Sequence, residues 1–248
     1  MQKTRFLYPI LIAVICLATR LTFFALVRSW DEKVVPKLIA SDYVEYHHLA
    51  LGVIENHRFA CDPAGPPEAL RTPGYPVFVA VFYALFGQKL SLIILGQIML
   101  DTMTALLLFF TITGVLGPSI GFGSALIYAI DPFVVLFTNS LGSETLFIFA
   151  LAAGFYFLTR GCLLKPGQLP ALKLGAAAVA FGLATLTRPI AFYLAPLVAI
   201  VILIRYWGQA WRAAKLALLF VLFFLVTVMP WMIRNYLTFK SFSLSTSG

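Results

Sequence analysis

The chain has 248 residues, 61% hydrophobic and 11% charged, with a mean hydropathy of +0.93. Soluble domains carry about 25% charged residues, so a water-soluble globule is excluded and lipid must solvate most of the surface. The formal charge of +8 does not point to nucleic acid, because Lys and Arg stand singly at the ends of apolar runs, where they snorkel and set orientation.

The apolar run from Phe6 to Val27 reads as a first span. It is too long, and lacks the A-x-A site, for a cleavable leader. Lys3 and Arg5 precede it and place the N-terminus in the cytoplasm, while Arg20 lies near enough to the outer end to snorkel. The outer loop that follows, residues 28–89, holds the one long polar segment of the chain, Asp31 to Pro76. Seven of the ten acids and all three histidines fall there. Within it, Tyr43 to Asn56 reads as an amphipathic surface helix with Tyr46, Leu49, Ala50 and Val53 on one stripe. Gly74 to Phe86 would make a helix of about 20 Å, too short for about 30 Å of hydrocarbon, and is expected to be re-entrant or to lie on the surface.

Further spans are expected over 90–112, 120–137, 144–158, 172–187, 190–204 and 213–233, about seven with the first. Gly114 to Pro118 makes an inner turn. This parity places Lys3, Arg5, Arg160, Lys165, Lys173, Arg205, Arg212 and Lys215 inside, eight bases with no acid, as the positive-inside rule requires. The polar stretch Arg234 to Gly248 stops without a closing helix, which suggests a fragment. Cys61 alone lies in the polar loop, so the loop holds no disulfide of its own.

The residues able to do chemistry lie at the outer ends of these spans. Asp42 with Glu45 three positions on is a helix-start pattern, so by residue type Asp42 reads first as an N-cap, a role compatible with its being an oriented carboxylate base. Glu144 follows Ser143 at the outer start of a span, either as a first-turn acid favoured by the helix dipole or as a costly charge kept for function. Arg188, before Pro189 in a tight hairpin, either snorkels or grips a phosphate as a planar fork; Arg71 and Arg234 are similar. Asp101 reads as a buried hydrogen-bonded acid and Asp131-Pro132 as a helix break. His47, His48 and His57 lack metal-site spacing. There is no Walker loop, G-x-G-x-x-G or G-x-S-x-G, so an activated substrate would come from the membrane.

Five motifs stand in order: Asp42-x-x-x-Tyr46-His47; Arg71-Thr72-Pro73-Gly74-Tyr75-Pro76; Ser143-Glu144; Leu186-Thr187-Arg188-Pro189; and Pro230-Trp231-Met232-Ile233-Arg234-Asn235-Tyr236 before Ser245-Thr246-Ser247-Gly248. Together they resemble the bacterial GT-C glycosyltransferases related to dolichyl-phosphate-mannose protein mannosyltransferases and the lipid A aminoarabinose transferase. The resemblance implies an all-α integral membrane protein with a helical first periplasmic loop, one polytopic domain over 1–248 corresponding to the N-terminal part of a longer family fold. It implies a polyprenyl-phosphate-linked sugar donor, a lipid, glycan or protein acceptor, and a site on the periplasmic face of a bacterial inner membrane. By the same resemblance Asp42 is the base and Glu144 the second acid. Arg188, Arg71 and Arg234 are then donor-phosphate ligands, and Tyr46, His47 and Tyr75 are substrate contacts. Some relatives hold a divalent metal, for which no ligand set maps here. A competing reading is a transporter or flippase with Arg20, Asp101, Asp131 and Glu144 along a translocation path.

Overall fold

The computed structural model describes residues 2–31, 33, 42–62, 64–163 and 170–245. Ser41, Lys165, Thr246, Ser247, Gly248 and the side chains of Lys3 and Arg5 lie outside them. Among the described residues every regular element is helical. They are α1 (Gln2–Leu26), α2 (Tyr43–Glu55), α3 (Gly74–Phe86), α4 (Leu90–Leu116), α5 (Pro118–Ile130), α6 (Pro132–Thr138), α7 (Glu144–Leu158), α8 (Pro170–Thr187), α9 (Leu194–Arg205) and α10 (Ala210–Phe239). A π-helical turn, Thr159–Leu163, extends α7, and a 3₁₀ turn, Pro189–Tyr193, leads into α9.

Five helices are long and apolar enough to cross a membrane, six if the bent pair α5–α6 is one span. The expected count of seven therefore does not follow from length and composition. The difference lies at 189–205, where a 3₁₀ turn and a 12-residue helix replace a full-length span. That segment still runs from one end of the bundle to the other. It begins beside Arg188, and the hydroxyl of Tyr206, just past its end, lies 3.5 Å from the carbonyl oxygen of Gly161 at the far end of α7. The 3₁₀ turn helps, since it rises about 2.0 Å per residue against 1.5 Å in an α-helix.

Small residues let the helices approach closely, as expected where lipid gives no hydrophobic drive between them. A Cβ on Gly154 of α7 would stand 2.7 Å from the Phe181 ring of α8, and one on Gly182 would stand 2.7 Å from Thr227 of α10. Phe181, Phe220, Leu174 and Ile202 join α8, α9 and α10 in one core. Ile12, Cys16, Ala105 and Ala125 join α1, α4 and α5 in another. The sharp turns out of α3 and α4 need backbone with positive φ, supplied by Gly87 (75°) and Gly117 (94°).

Arg20 does not snorkel. It is fully buried and its Nε donates to Asp101 Oδ2 at 2.6 Å. Tyr128 Oη donates to Asp101 Oδ1, and the Arg20 guanidinium also donates to the carbonyls of Ala129 and Tyr128. Those carbonyls are available because α5 stops at the Asp131-Pro132 break, where proline cannot continue the hydrogen-bond ladder. Helices α5 and α6 meet there at 59°, and Asp131 Oδ1 caps α6 by accepting from the amides of Phe133 and Val134. The sequence reading of Asp101 as a buried bonded acid is met, with Arg20 as its partner.

Candidate active site

The loop between α1 and α4 carries two helices that pack on each other. Tyr46, Leu49 and Ala50 of the expected stripe are buried, with Val53 at the margin, and α3 has the expected bounds, 74–86. The start of α3 is pressed onto the end of α8. A Cβ on Gly74 would stand 2.6 Å from Thr187 Oγ1 and 2.7 Å from the Leu186 carbonyl oxygen. Thr72 Oγ1 donates to the Thr187 carbonyl at 2.9 Å. Farther in, Tyr75 Oη donates to Gln97 Oε1 at 2.7 Å. Gln97 Nε2 in turn donates to the carbonyls of Thr138 and Ser140 at 2.9 and 2.7 Å. This buried relay ties α3 to α4 and to the turn before α7.

These contacts enclose a cavity of about 280 Å³ at one end of the bundle. Its wall includes Asp42, Tyr46, Arg71, Ser143, Arg188 and Ser245. Two guanidinium–carboxylate sets face it. Arg71 donates from both terminal nitrogens to Asp42 (2.8 and 3.2 Å) and from Nε to Glu45 Oε2 (2.6 Å). Arg188 pairs with Glu144 through Nη2 and donates from Nε to Ser143 Oγ at 3.0 Å. Burial pulls the Arg71 guanidinium down, but its hydrogen bonds to Glu45 and Asp42 more than offset this. Its pKa lies above the ordinary arginine value.

Asp42 and Ser143 are not caps. Both are in helical backbone conformation and neither makes a side-chain cap bond. Their oxygens are directed at Arg71 and Arg188 instead. The sequence reading left Glu45 as the partner of a capping box. Its spacing also puts it one turn from Asp42 on the same helix, where both carboxylates reach a single arginine.

Glu144 is not itself on that wall and reaches it only through Arg188, and three further expected site residues lie off it. Tyr75 is almost completely buried in the relay. His47 Nδ1 is bonded to Tyr83 Oη at 2.8 Å. Burial lowers its pKa, and the charge of His48 lowers it further against the pull of Glu55. Arg234 donates to the carbonyls of Glu68 (2.7 Å) and Phe59 (3.2 Å), and its guanidinium carbon lies 4.8 Å from the centre of the Trp231 ring. It holds the loop before α4 against α10, and its donors go to these carbonyls and to Asn235 Oδ1 rather than to the cavity.

Among the described residues no three metal-ligating side chains converge, and Asp42, Glu45 and Glu144 each accept from a guanidinium. This donor set does not fit a divalent ion. Among the described residues, the four charges expected along a translocation path do not line one. Arg20 and Asp101 neutralise each other in the core, Asp131 caps a helix, and Glu144 belongs to one end only.

No curated protein matches the chain. Its fold is similar to that of a solved structure, "Crystal Structure of ArnT from Cupriavidus metallidurans bound to Undecaprenyl phosphate". The TM-score is 0.72 at 18% identity, over 94% of this chain and 42% of that one. This chain thus spans less than half the length of that protein. The family model for dolichyl-phosphate-mannose-protein mannosyltransferases matches residues 70–233, a stretch that includes Arg71, Glu144 and Arg188 and begins after Asp42. The chain therefore belongs to the dolichyl-phosphate-mannose-protein mannosyltransferase family, within the GT-C superfamily of multi-pass membrane proteins.

Proposed function

We propose that the protein transfers a sugar from a polyprenyl-phosphate donor to an acceptor hydroxyl, with inversion at the anomeric carbon. The observation that carries this reading is the meeting of Asp42, Arg71 and Arg188 on one cavity wall, with Glu144 joined to it through its ion pair with Arg188. The family match and the undecaprenyl phosphate held by the structurally similar ArnT support the donor class. The acceptor is a hydroxyl of a lipid, a glycan or a protein.

Arg71 and Arg188 supply the planar forks that recognise a phosphate. A donor phosphate that takes the two terminal nitrogens of Arg71 displaces Asp42, while Glu45 keeps the Nε and holds the guanidinium in place. The freed Asp42 carboxylate accepts the acceptor proton as the acceptor oxygen attacks the anomeric carbon. The bond from that carbon to the phosphate oxygen breaks, and the electron pair leaves with the polyprenyl phosphate. Arginines already in position stabilise the charge that develops there, often the largest contribution to catalysis. Tyr46 stands beside Asp42 as a wall for the sugar. His47 and Tyr75 act behind it, by holding α2 and α3.

The cavity end is assigned to the periplasmic face of a bacterial inner membrane, with the N-terminus in the cytoplasm. The support is charge: Arg160, Lys173, Arg205, Arg212 and Lys215 all lie on the helix ends opposite the cavity. The test is to supply the protein in lipid with a panel of polyprenyl-phosphate sugars and to measure release of free polyprenyl phosphate. Turnover with at least one donor is expected. Its absence across donors of every sugar class and chain length would contradict the proposal.

A further inference from the structure

The end of the bundle opposite the cavity has an imbalance that the transfer reaction does not use. From Thr145 to Gly248 the sequence contains nine Lys and Arg residues and neither Asp nor Glu. Arg160, Lys173, Arg205, Arg212 and Lys215 belong to this end, and none of them meets a carboxylate within ion-pair distance among the described residues.

Two of these cations are gathered by the turn between α9 and α10. The guanidinium carbons of Arg205 and Arg212 lie 5.8 and 5.2 Å from the centre of the same Tyr206 ring. Tyr206 itself is buried against Gly161, so the ring is a fixed platform. Arg212 is steadied by Gln209, which accepts from its Nη1 at 3.1 Å. Nothing in this part of the chain offsets these two charges, because it contains neither Asp nor Glu.

The surroundings are built for lipid. Trp207 and Trp211 are 83% and 75% exposed on the same turn, as amphipathic rings are where headgroups meet acyl chains. Between α9 and α10, Leu203, Trp207, Ala210 and Ala213 line an apolar cleft of about 350 Å³. The clustered cations, the interfacial tryptophans and the cleft match the three parts of one molecule: a phosphate diester, its glycerol region and an acyl chain.

We infer that the α9–α10 turn is a binding site for an anionic phospholipid, with the headgroup phosphate on Arg205 and Arg212 and an acyl chain in the Leu203–Trp207–Ala213 cleft. The site lies at the far end of the bundle from the cavity and does not depend on the transferase reading. A basic residue at an anionic surface contributes on the order of a fivefold change in affinity, so loss of two should weaken retention about 25-fold.

The test uses the full chain in detergent, titrated with phosphatidylglycerol or phosphatidylcholine, with bound lipid counted by native mass spectrometry. Preferential retention of phosphatidylglycerol is expected. The preference should be lost in the Arg205→Gln/Arg212→Gln double variant and kept in Arg28→Gln, an exposed arginine at the cavity end. Glycerol 3-phosphate, which carries the headgroup chemistry without an acyl chain, should not displace the lipid at millimolar concentration. Equal retention of both lipids, an unchanged preference in a double variant whose helicity is intact, or displacement by glycerol 3-phosphate would each overturn the inference.

Discussion

Asp42 and Arg71 form a bidentate pair in the half-exposed mouth of the cavity, and exposed pairs of this kind contribute little stability, about 0–1 kcal/mol. The pair is better explained by exchange than by strength. Replacing Asp42 with Asn should leave the helix content unchanged, because no cap bond is lost, yet a positioned base is worth about 10²–10⁴-fold in rate. Glu45→Gln keeps the length of the side chain but loosens the grip on Arg71 Nε. It is expected to raise the KM for donor several-fold with a smaller change in kcat, measured by initial rates at varied donor. The second acid differs: Glu144 is bonded to Arg188, and Arg188→Lys loses the fork that holds Ser143 and Glu144 at once. Asp42, Arg71, Glu144 and Arg188 stand out in the sequence as candidates, but Glu45 does not, and neither does the pairing among them. A D-x-x-E spacing fits a capping box and a two-carboxylate grip on arginine equally well, and only the position of Arg71, 29 residues later, separates the two.

At the scale of elements, the first loop is held by contacts without spare room. Gly74→Leu places a side chain against Thr187 Oγ1 and the Leu186 carbonyl. It should shift α3 off α8, at a cost of about 1–3 kcal/mol, seen as earlier proteolysis of the 58–74 loop. His47 makes this docking pH-dependent. Its pKa is lowered below 6.5 in the folded protein, so the folded state binds fewer protons than the unfolded one. The stabilisation is present above pH 6.5 and fades as the pH falls through the lowered value. His47→Gln should flatten the acid side of a thermal-stability profile between about pH 5 and 7.

The Arg20–Asp101 pair behaves in the opposite way to the cavity pairs, because both partners are fully buried. Arg20→Met alone strands a carboxylate in the core and should cost about 3–5 kcal/mol, and Asp101→Leu in addition should recover most of it. The short helix 74–86 was legible in the sequence because hydrocarbon thickness sets a length that 13 residues cannot reach. Arg20 was misread because its distance from the span's end fits snorkelling, and its true partner lies 81 residues away.

For the whole molecule, the two ends of the bundle differ in charge and chemistry. One end holds the cavity with its paired acids and arginines, and the other holds cations alone. The composition dictates a membrane solvent and the order of motifs points to the family. The span count was less legible, because a 3₁₀ turn at 189–193 and a 59° break at Asp131-Pro132 interrupt two of the apolar stretches that sequence alone reads as continuous spans. Orientation is open to a direct check. Cys61 is the one cysteine of the outer loop and is partly exposed, whereas Cys16 and Cys162 are buried. A membrane-impermeant maleimide applied to spheroplasts with an intact inner membrane should label Cys61, and labelling only after permeabilisation would reverse the assigned sides.

The central claim is that the cavity between the outer loop and the ends of α7 and α8 transfers a sugar with Asp42 as its base. Release of polyprenyl phosphate by Asp42→Asn, compared with the unaltered protein in the same lipid and with the same donor, tests it most directly. A loss of about 10²-fold or more with unchanged helicity and donor binding no weaker than in the unaltered protein is the expected result. Turnover within a few-fold of the unaltered protein would contradict it.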